Sequence, residues 1–278
     1  MNRTLLQVKI LYDKMGRAEK KIADWILAHP GNLIPLSICE LADECDCSEA
    51  TIVRFARRLG CSGYQELKIS IARDEGKKNI DDTVKKGDSC FEIFEKVSND
   101  IYCSLEKTKG ALDKNEIEKA ADAIAKADIV SIYGLGNSAA VAIDAQHKFL
   151  RAGCNAFAYS DNHMQAINAS HLKKGDVAIG VSHSGSSKDV VEALKLARDN
   201  GATTICLTNE GKSPILKQSD IVLFTASNET RHSILGLNSR IAQLAIIDAL
   251  YLYLVCRKDD LALKAIENTE RALLSKKY

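Results

Sequence analysis

Residues 180–190 read GVSHSGSSKDV: Gly180-Val-Ser-His-Ser-Gly-Ser-Ser-Lys-Asp-Val190 sets four serines and a histidine between an apolar run and an amphipathic one. The apolar run, Val177–Val181, is one of five short apolar segments in the second half of the chain. The others lie near Ile129–Tyr133, Ala156–Tyr159, Thr204–Leu207 and Ile221–Phe224. Helical periodicity intervenes near Ser138–Ala152 and Ser187–Asn200 and follows the last segment at Asn238–Cys256. Strands alternating with helices imply βαβ units and a mostly parallel sheet covered on both faces. The quoted stretch is then a strand-to-helix loop.

Ser182, His183, Ser184 and Ser187 offer donors around Gly185, with the N–H groups of a helix start behind them, which makes a compact cage for one phosphate. The plainer reading is that these serines cap the helix and shape a tight turn, and Ser187 is placed to cap in either case. Four serines exceed what a cap needs. A second strand-to-helix turn, Gly134-Leu-Gly136-Asn-Ser-Ala139, lies on the same sheet edge. Alone, G-x-G-x-x-A matches a dinucleotide fingerprint, with Asp161 as the ribose acid. A dinucleotide fold, however, does not require a hydroxyl-rich second loop. The two loops together fit one phosphoryl group held by the serines and the rest of a sugar held by the Gly134–Ser138 turn and its neighbours.

The first half of the chain has a different pattern. Residues 1 to about 75 read as all-helical: apolar positions recur at helical spacing in Ile22, Ile26, Leu27 and again in Leu41, Ala42, with no clear alternating strand. Residues 76–88, GKKNIDDTVKKGD, read as a linker. Phe91, Phe94, Val97, Ile101, Leu105 and then Ile117, Ala120, Ala121, Ile124 predict two amphipathic helices between 89 and 127. Within the first segment Ser37-Ile-Cys-Glu40 is a capping box. It starts a helix that reaches a polar break at Asp43–Cys47, after which Ser48 caps a second helix, Glu49–Arg58, ended by Leu59-Gly60. That is a helix-turn-helix candidate. Glu49, Ala50, Thr51 and Arg54 would face base edges, Arg57 and Arg58 would meet phosphates, and Ser48 and Lys68 complete the expected DNA-binding set. Ile52, Val53 and Phe55 include the core-facing side. Between Thr51 and Arg73, Arg54, Arg57, Arg58, Lys68 and Arg73 stand against the single acid Glu66, a basic cluster of the kind DNA binding needs. The alternative is an ordinary helical hairpin with a solvated arginine face.

SEATIVRFARRLGCSGYQELK, Ser48–Lys68, resembles the DNA-binding domain of the RpiR family of bacterial sugar-responsive regulators, whose members carry a V-x-R-F-x-[KR]-[KR]-L-G-x-x-G-Y-x-E-[LF]-K run. Here Arg54 through Lys68 match it, with Ile52 at the valine position and Val53 at the variable one, and the likeness extends back to about Leu5. Residues from about Val130 to Leu254 resemble the SIS (sugar isomerase) domain, which binds phosphosugars through an S-x-S-x-x-[ST] loop. The resemblance makes Ser182, Ser184 and Ser187 phosphate ligands, with Gly134, Gly136, Asn137 and Ser138 contributing from the first loop and His183 in the same cage. Residues 183 and 186 are histidine and serine where many SIS loops carry an amide and a glutamate. Glu229 falls where SIS enzymes hold a catalytic carboxylate, as a ligand contact or as an ordinary loop glutamate. Asp161 and His163, in SDNH, also resemble the family pattern, as ligand contacts or as a loop cap or interface. SRIAQLAIIDALY, Ser239–Tyr251, resembles the last SIS helix of these regulators. His29, His171 and His232 have no partner visible in sequence.

The resemblance implies an all-α helix-turn-helix N-terminal domain (1–75), a linker (76–88) and an α/β C-terminal domain of SIS type with leading helices (89–278), built on a five-stranded parallel, doubly wound sheet. It implies a DNA-binding transcriptional regulator of sugar or amino-sugar metabolism, controlled by a phosphosugar. No catalytic residue, cofactor or metal is expected. The expected partners are a pseudo-palindromic double-stranded operator, the phosphosugar, and a second copy in a homodimer or homotetramer, because one helix-turn-helix reads too few base pairs to be selective. The rival is an SIS phosphosugar isomerase or etherase using Glu229, which would leave three arginines on the second helix without a task.

Composition sets the bounds. The chain has 278 residues, 46% of them hydrophobic, and 38 basic against 37 acidic residues give a net charge of +1, so nucleic-acid binding must come from local clustering. No apolar run is expected to approach the ~18 residues of a membrane span. The first 30 residues carry scattered charges rather than a signal-peptide core. A cytoplasmic protein with no membrane partner is expected. Nine cysteines at scattered spacing suggest reduced thiols rather than disulfides, and the four early ones, Cys39, Cys45, Cys47 and Cys61, read as buried, small apolar side chains. Cys39, Cys45, Cys47 and Cys61 form no C-x-x-C pair and predict no zinc site.

Overall fold

The computed structural model describes residues 3–33, 36–75, 84–85, 87–227, 237–257 and 259–276. Most of the expected linker (76–83 and 86), with Glu229 and His232, lies outside the described residues. The chain divides into two compact units, with the division between Asp100 and Ile101.

The first unit contains α1 (Arg3–Leu11), α2 (Arg17–Ala28), α3 (Ile38–Glu44), α4 (Glu49–Arg58) and α5 (Tyr64–Glu75). Ile22, Ile26, Leu41, Ile52, Phe55, Leu67 and Ile71 form one buried cluster, each contributing roughly 1.5–3 kcal/mol relative to exposure. The capping box is formed: the Ser37 hydroxyl accepts from the Glu40 N–H at 3.2 Å and the Glu40 carboxylate accepts from the Ser37 N–H at 2.7 Å. α6 (Cys90–Ala111) contains the division between the units, and its Phe91 and Phe94 are exposed. The first of the two expected amphipathic helices therefore leaves part of its apolar side uncovered.

The second unit holds a five-stranded sheet, β1 (Val130–Gly134), β2 (Ala156–Tyr159), β3 (Val177–Val181), β4 (Thr203–Asn209) and β5 (Ile221–Thr225), in the order β2-β1-β3-β4-β5 with every pairing parallel. α7 (Lys114–Lys126), α8 (Asn137–Arg151) and α11 (Leu237–Arg257) close one face around Ile124, Val141, Phe149, Ile246 and Leu250. α9 (Asn162–His171) and α10 (Lys188–Asp199) close the other around Tyr133, Ala169, Val190 and Leu194. α12 (Asp259–Leu273) is tied to α8 by the 2.6 Å Arg151–Glu270 ion pair. The sheet is doubly wound, as the alternation of strands and helices implies.

Three expectations need correction. α9 is a helix that hydrophobic periodicity does not show, because only Gln165 and Ala169 are buried within it while Met164 and Ile167 face outward. Asn238–Arg257 is 20 residues long and holds an 18-residue window of mean hydropathy 1.4, long and apolar enough to cross a membrane by length and composition, against the expectation that no run approaches a span. Its Ile246, Ile247, Leu250 and Leu254 are buried on the sheet, as in the core helix of a doubly wound fold. Finally, of the four early cysteines expected to be buried, Cys45 and Cys61 are, whereas Cys39 and Cys47 are half-buried; Cys206 is buried as well, which pushes its thiol up to about 11.

Gly180 lies in β3 against α10, where an added Cβ would come within 2.5 Å of Leu194 Cδ1 and 3.2 Å of Val190 Cγ1. Both side chains are fully buried and have nowhere to retreat. Gly180→Ala is expected to destabilise the protein by about 1–3 kcal/mol, read as a lowered urea midpoint; an unchanged midpoint would contradict the tight β3–α10 packing.

Candidate functional sites

The turn between α3 and α4 is pinned from outside. Asp46 adopts φ 47°, a left-handed conformation, and its carboxylate pairs with Lys21 on α2 at 2.7 Å; that hydrogen bond holds the Asp46 carboxyl below its ordinary value. α4 starts where the sequence places it, with the Ser48 hydroxyl accepting from the Thr51 N–H at 3.3 Å. Ile52, Phe55 and Ala56 turn inward, Val53 is half-buried against the same core, and Ala50, Arg54, Arg57 and Arg58 are exposed. Ser48 and Thr51 share a 2.8 Å hydroxyl contact and Arg54 donates to Thr51 Oγ1 at 3.2 Å, so the first outward turn is already organised. Glu49 accepts from the Cys39 thiol at 2.9 Å.

The expected phosphate pair is not equivalent in the structure. Arg57 reaches only the Ser62 carbonyl at 3.4 Å, whereas Arg58 donates to Glu19 at 2.6 Å and to the Lys14 carbonyl at 2.5 Å. Arg58 fastens α4 to the α2 side of the unit. Lys68 is also engaged, donating to the Leu36 carbonyl at 3.0 Å with its ammonium 5.1 Å from the centre of the Tyr64 ring. The outward surface of α4 is therefore Ser48, Ala50, Thr51, Arg54 and Arg57. Sequence periodicity cannot see the Arg58–Glu19 pair, because the two residues are 39 positions apart.

In the second unit β1 and β3 are neighbours, with Gly134 opposite Val181. Both serine-bearing turns leave the same edge side by side, at the switch point of a 2-1-3-4-5 sheet, where such folds bind ligands. At Gly134 a Cβ would sit 2.6 Å from the Ser138 carbonyl oxygen, so the helix start can approach the strand end only because this residue is glycine. Gly136, at φ +56°, then serves as the N-cap of α8 and supplies no side-chain cap. Asn137 is exposed and Ser138 half-buried.

The second turn is braced by its own hydroxyls. The buried Ser182 donates to Ser187 Oγ at 3.1 Å, Ser184 Oγ accepts from the Ser186 N–H at 3.3 Å, and the His183 carbonyl accepts from the Asn209 N–H at 3.1 Å and the Thr208 hydroxyl at 3.3 Å. The expectation that Ser187 caps the helix is not met: it occupies the N-cap position of α10, but its hydroxyl makes no cap bond and is drawn to Ser182. α7 and α9, in the same unit, are capped by Asp113 and Asp161. Of the four helices α7 to α10, the two without side-chain caps are thus the two that start at the β1/β3 edge, where the helix dipoles favour an anion; at α8 the Ser138 and Ala139 N–H groups donate to the Leu135 and Gly136 carbonyls at 3.1 Å.

Asp161 is occupied as the α9 cap, accepting from the Met164 N–H at 2.9 Å, which removes it as a ribose acid. His163 is exposed in the first turn of α9. Lys188, passed over in the sequence, is the first residue of α10 and pairs with Glu192 at 3.5 Å. A cation there opposes the helix dipole unless an anion binds beside it. Among the described residues no group of three or more His, Cys, Asp or Glu side chains could hold a metal ion.

Comparison with known proteins agrees with both halves. Residues 2–78 match the helix-turn-helix domain of the rpiR family and residues 123–253 match the SIS domain. An uncharacterized HTH-type transcriptional regulator of Caldanaerobacter subterraneus is 39% identical over 100% of this chain and 99% of its own length. The HTH-type transcriptional regulator HexR of Pseudomonas aeruginosa is 35% identical over 90% of this chain and 88% of its own. Among solved structures, the Vibrio vulnificus NanR protein complexed with ManNAc-6P superposes with a TM-score of 0.83 at 24% identity, covering 99% of each chain. A helix-turn-helix unit followed by an SIS unit, matched end to end by such relatives, establishes that the chain belongs to the rpiR family of HTH-type transcriptional regulators.

Proposed function

We propose that this regulator binds a phosphosugar at the β1/β3 edge and that the bound effector changes its affinity for operator DNA. Residues 1–75 are the DNA-binding domain, 76–88 the linker and 89–278 the sensing domain. The observation that carries the reading is the pair of helix N-termini at α8 and α10, both free of side-chain caps, around the Ser182–Ser187 hydroxyl contact. The ligand set is Gly134, Gly136, Asn137, Ser138, Ser182, His183, Ser184 and Ser187, and the SIS resemblance adds Glu229, which lies outside the described residues. The likeness to NanR, whose structure holds ManNAc-6P, supports a phosphosugar effector for this chain. Coupling is thermodynamic linkage, typically 1–3 kcal/mol between two sites.

On the DNA side, Ser48, Glu49, Ala50, Thr51 and Arg54 read bases and Arg57 binds phosphate, while Arg58 ties α4 to Glu19 of α2 and Lys68 ties α5 to the Leu36 carbonyl before α3. Two copies on a pseudo-palindrome supply enough base pairs for selectivity. α11 leaves Leu252 58% exposed, together with Ala245, Ala249 and Cys256, and this uncovered side of the helix is the subunit contact. Bound sugar is held without chemistry: a site built for the ground state supplies no stabilisation specific to a transition state.

Three outcomes follow from this reading. Ser184→Ala with Ser187→Ala is expected to lose about 1.5–3 kcal/mol of phosphosugar affinity per lost charge-assisted bond and to keep DNA binding; equal calorimetric affinity for the effector would show the loop to be misassigned. Arg54→Ala is expected to weaken specific binding by roughly 1–3 kcal/mol and relax base preference, whereas Arg57→Ala weakens all sequences and flattens the salt slope by about one unit. Gel-shift titrations at two salt concentrations test both, and wild-type binding by the double variant would refute the interface. No phosphosugar turnover is expected from the purified protein, and steady conversion seen by NMR and abolished in Glu229→Gln would favour an isomerase.

A further inference from the structure

Gln165, in the first half of α9, is fully buried. Its Nε2 donates to the Tyr159 carbonyl at 2.9 Å and to the Gly134 carbonyl at 3.3 Å. These carbonyls end β2 and β1, which are paired neighbours. One side-chain amide therefore clamps two strand ends at the edge where the first effector turn begins. Its other atom, Oε1, is buried and accepts no hydrogen bond. An acceptor taken out of water without a partner is destabilising, so the stabilising end of this side chain is its donor end. Gly134 is also the residue whose Cα face lies against the Ser138 carbonyl. A shift of the Gly134 peptide therefore carries the Gly136–Ser138 backbone with it.

We propose that Gln165 is a positioning residue for the effector: by holding the Gly134 carbonyl it sets the distance between the first-turn N–H groups and the Ser182–Ser187 loop. The proposal rests on the phosphosugar reading of that site and adds a residue that makes no contact with the ligand. Only the carbonyl clamp transmits the effect, so removing the donor is expected to loosen the first turn while the serine loop stays intact.

The test uses the full chain, Gln165→Met and Gln165→Glu, a panel of hexose 6-phosphates measured by calorimetry, and thermal midpoints recorded alongside. Gln165→Met keeps the volume and removes the donor; it is expected to weaken the hexose 6-phosphate by about tenfold or more without changing operator affinity in its absence. Gln165→Glu sets a carboxylate against two carbonyls at pH 8 and is expected to bind more weakly still. Burial and the adjacent acceptors raise the pKa of such a group, and its protonated form has an O–H to donate. The ratio of variant to wild-type affinity is therefore expected to climb toward one as pH falls from 8 to 5.5, and taking the ratio cancels the titration of the phosphate itself. If the Met variant does not fold, the pH profile of the Glu variant carries the test alone. Wild-type affinity in the Met variant, or a flat ratio in the Glu variant, overturns the proposal. If the Gln165 variants bind normally while Ser184→Ala does not, only the positioning role fails. If Ser184→Ala also binds normally, or no hexose 6-phosphate binds wild type, the phosphosugar reading fails with it.

Discussion

The parallel pairing of β1 with β3, from Val130 opposite Val177 to Gly134 opposite Val181, is the constraint on which the sensing unit depends. The strand order sends the chain after β1 into α8 on one face and after β3 into α10 on the other. Both helices must therefore start at adjacent points on one sheet edge. Each start carries roughly half a positive charge, and two such ends side by side repel unless something negative lies between them. Side-chain caps would relieve part of this, as Asp113 and Asp161 do at α7 and α9. At α8 the cap residue is a glycine, and at α10 the serine hydroxyl is turned to another serine. In the proposed complex the phosphate of the effector supplies the negative charge that these two cap positions lack.

The surrounding contacts keep that edge rigid without filling it. Ser184 and Ser186 brace each other, the His183 carbonyl is held by Thr208 and Asn209, and Gln165 ties Gly134 to Tyr159. A site organised before its ligand arrives loses less conformational entropy on binding. The same economy appears in the DNA-binding unit, where Ser48, Thr51 and Arg54 form a chain of contacts along the first turn of α4 and Arg58 and Lys21 fasten the helix and its turn to neighbours. In each unit the residues that present chemistry are supported by others that present none.

What the sequence disclosed followed from local rules. The five strands were legible as short apolar runs because a doubly covered parallel sheet buries both sides of each strand, and the Ser37–Glu40 and Ser48 caps were legible because capping acts within four residues. Two glycine- and serine-rich turns at strand ends sufficed to place the candidate site. The rest depended on pairs far apart in the chain. The pairing of Arg58 with Glu19 is of this kind, and the contact of Ser187 with Ser182 stands in place of a helix cap. α9 escaped because its inner side is one glutamine and one alanine rather than an apolar stripe, and for that reason Gln165 escaped with it.

The central claim is that one chain couples anion binding at the β1/β3 edge to operator affinity, and fluorescence anisotropy measures this directly. A labelled duplex selected for binding to the protein is titrated with the full chain, with and without the hexose 6-phosphate that most raises its thermal midpoint. The account predicts a shift in operator affinity of about 5- to 150-fold, absent when Ser184 and Ser187 are both alanine. Operator affinity that is the same with and without a saturating phosphosugar would contradict it.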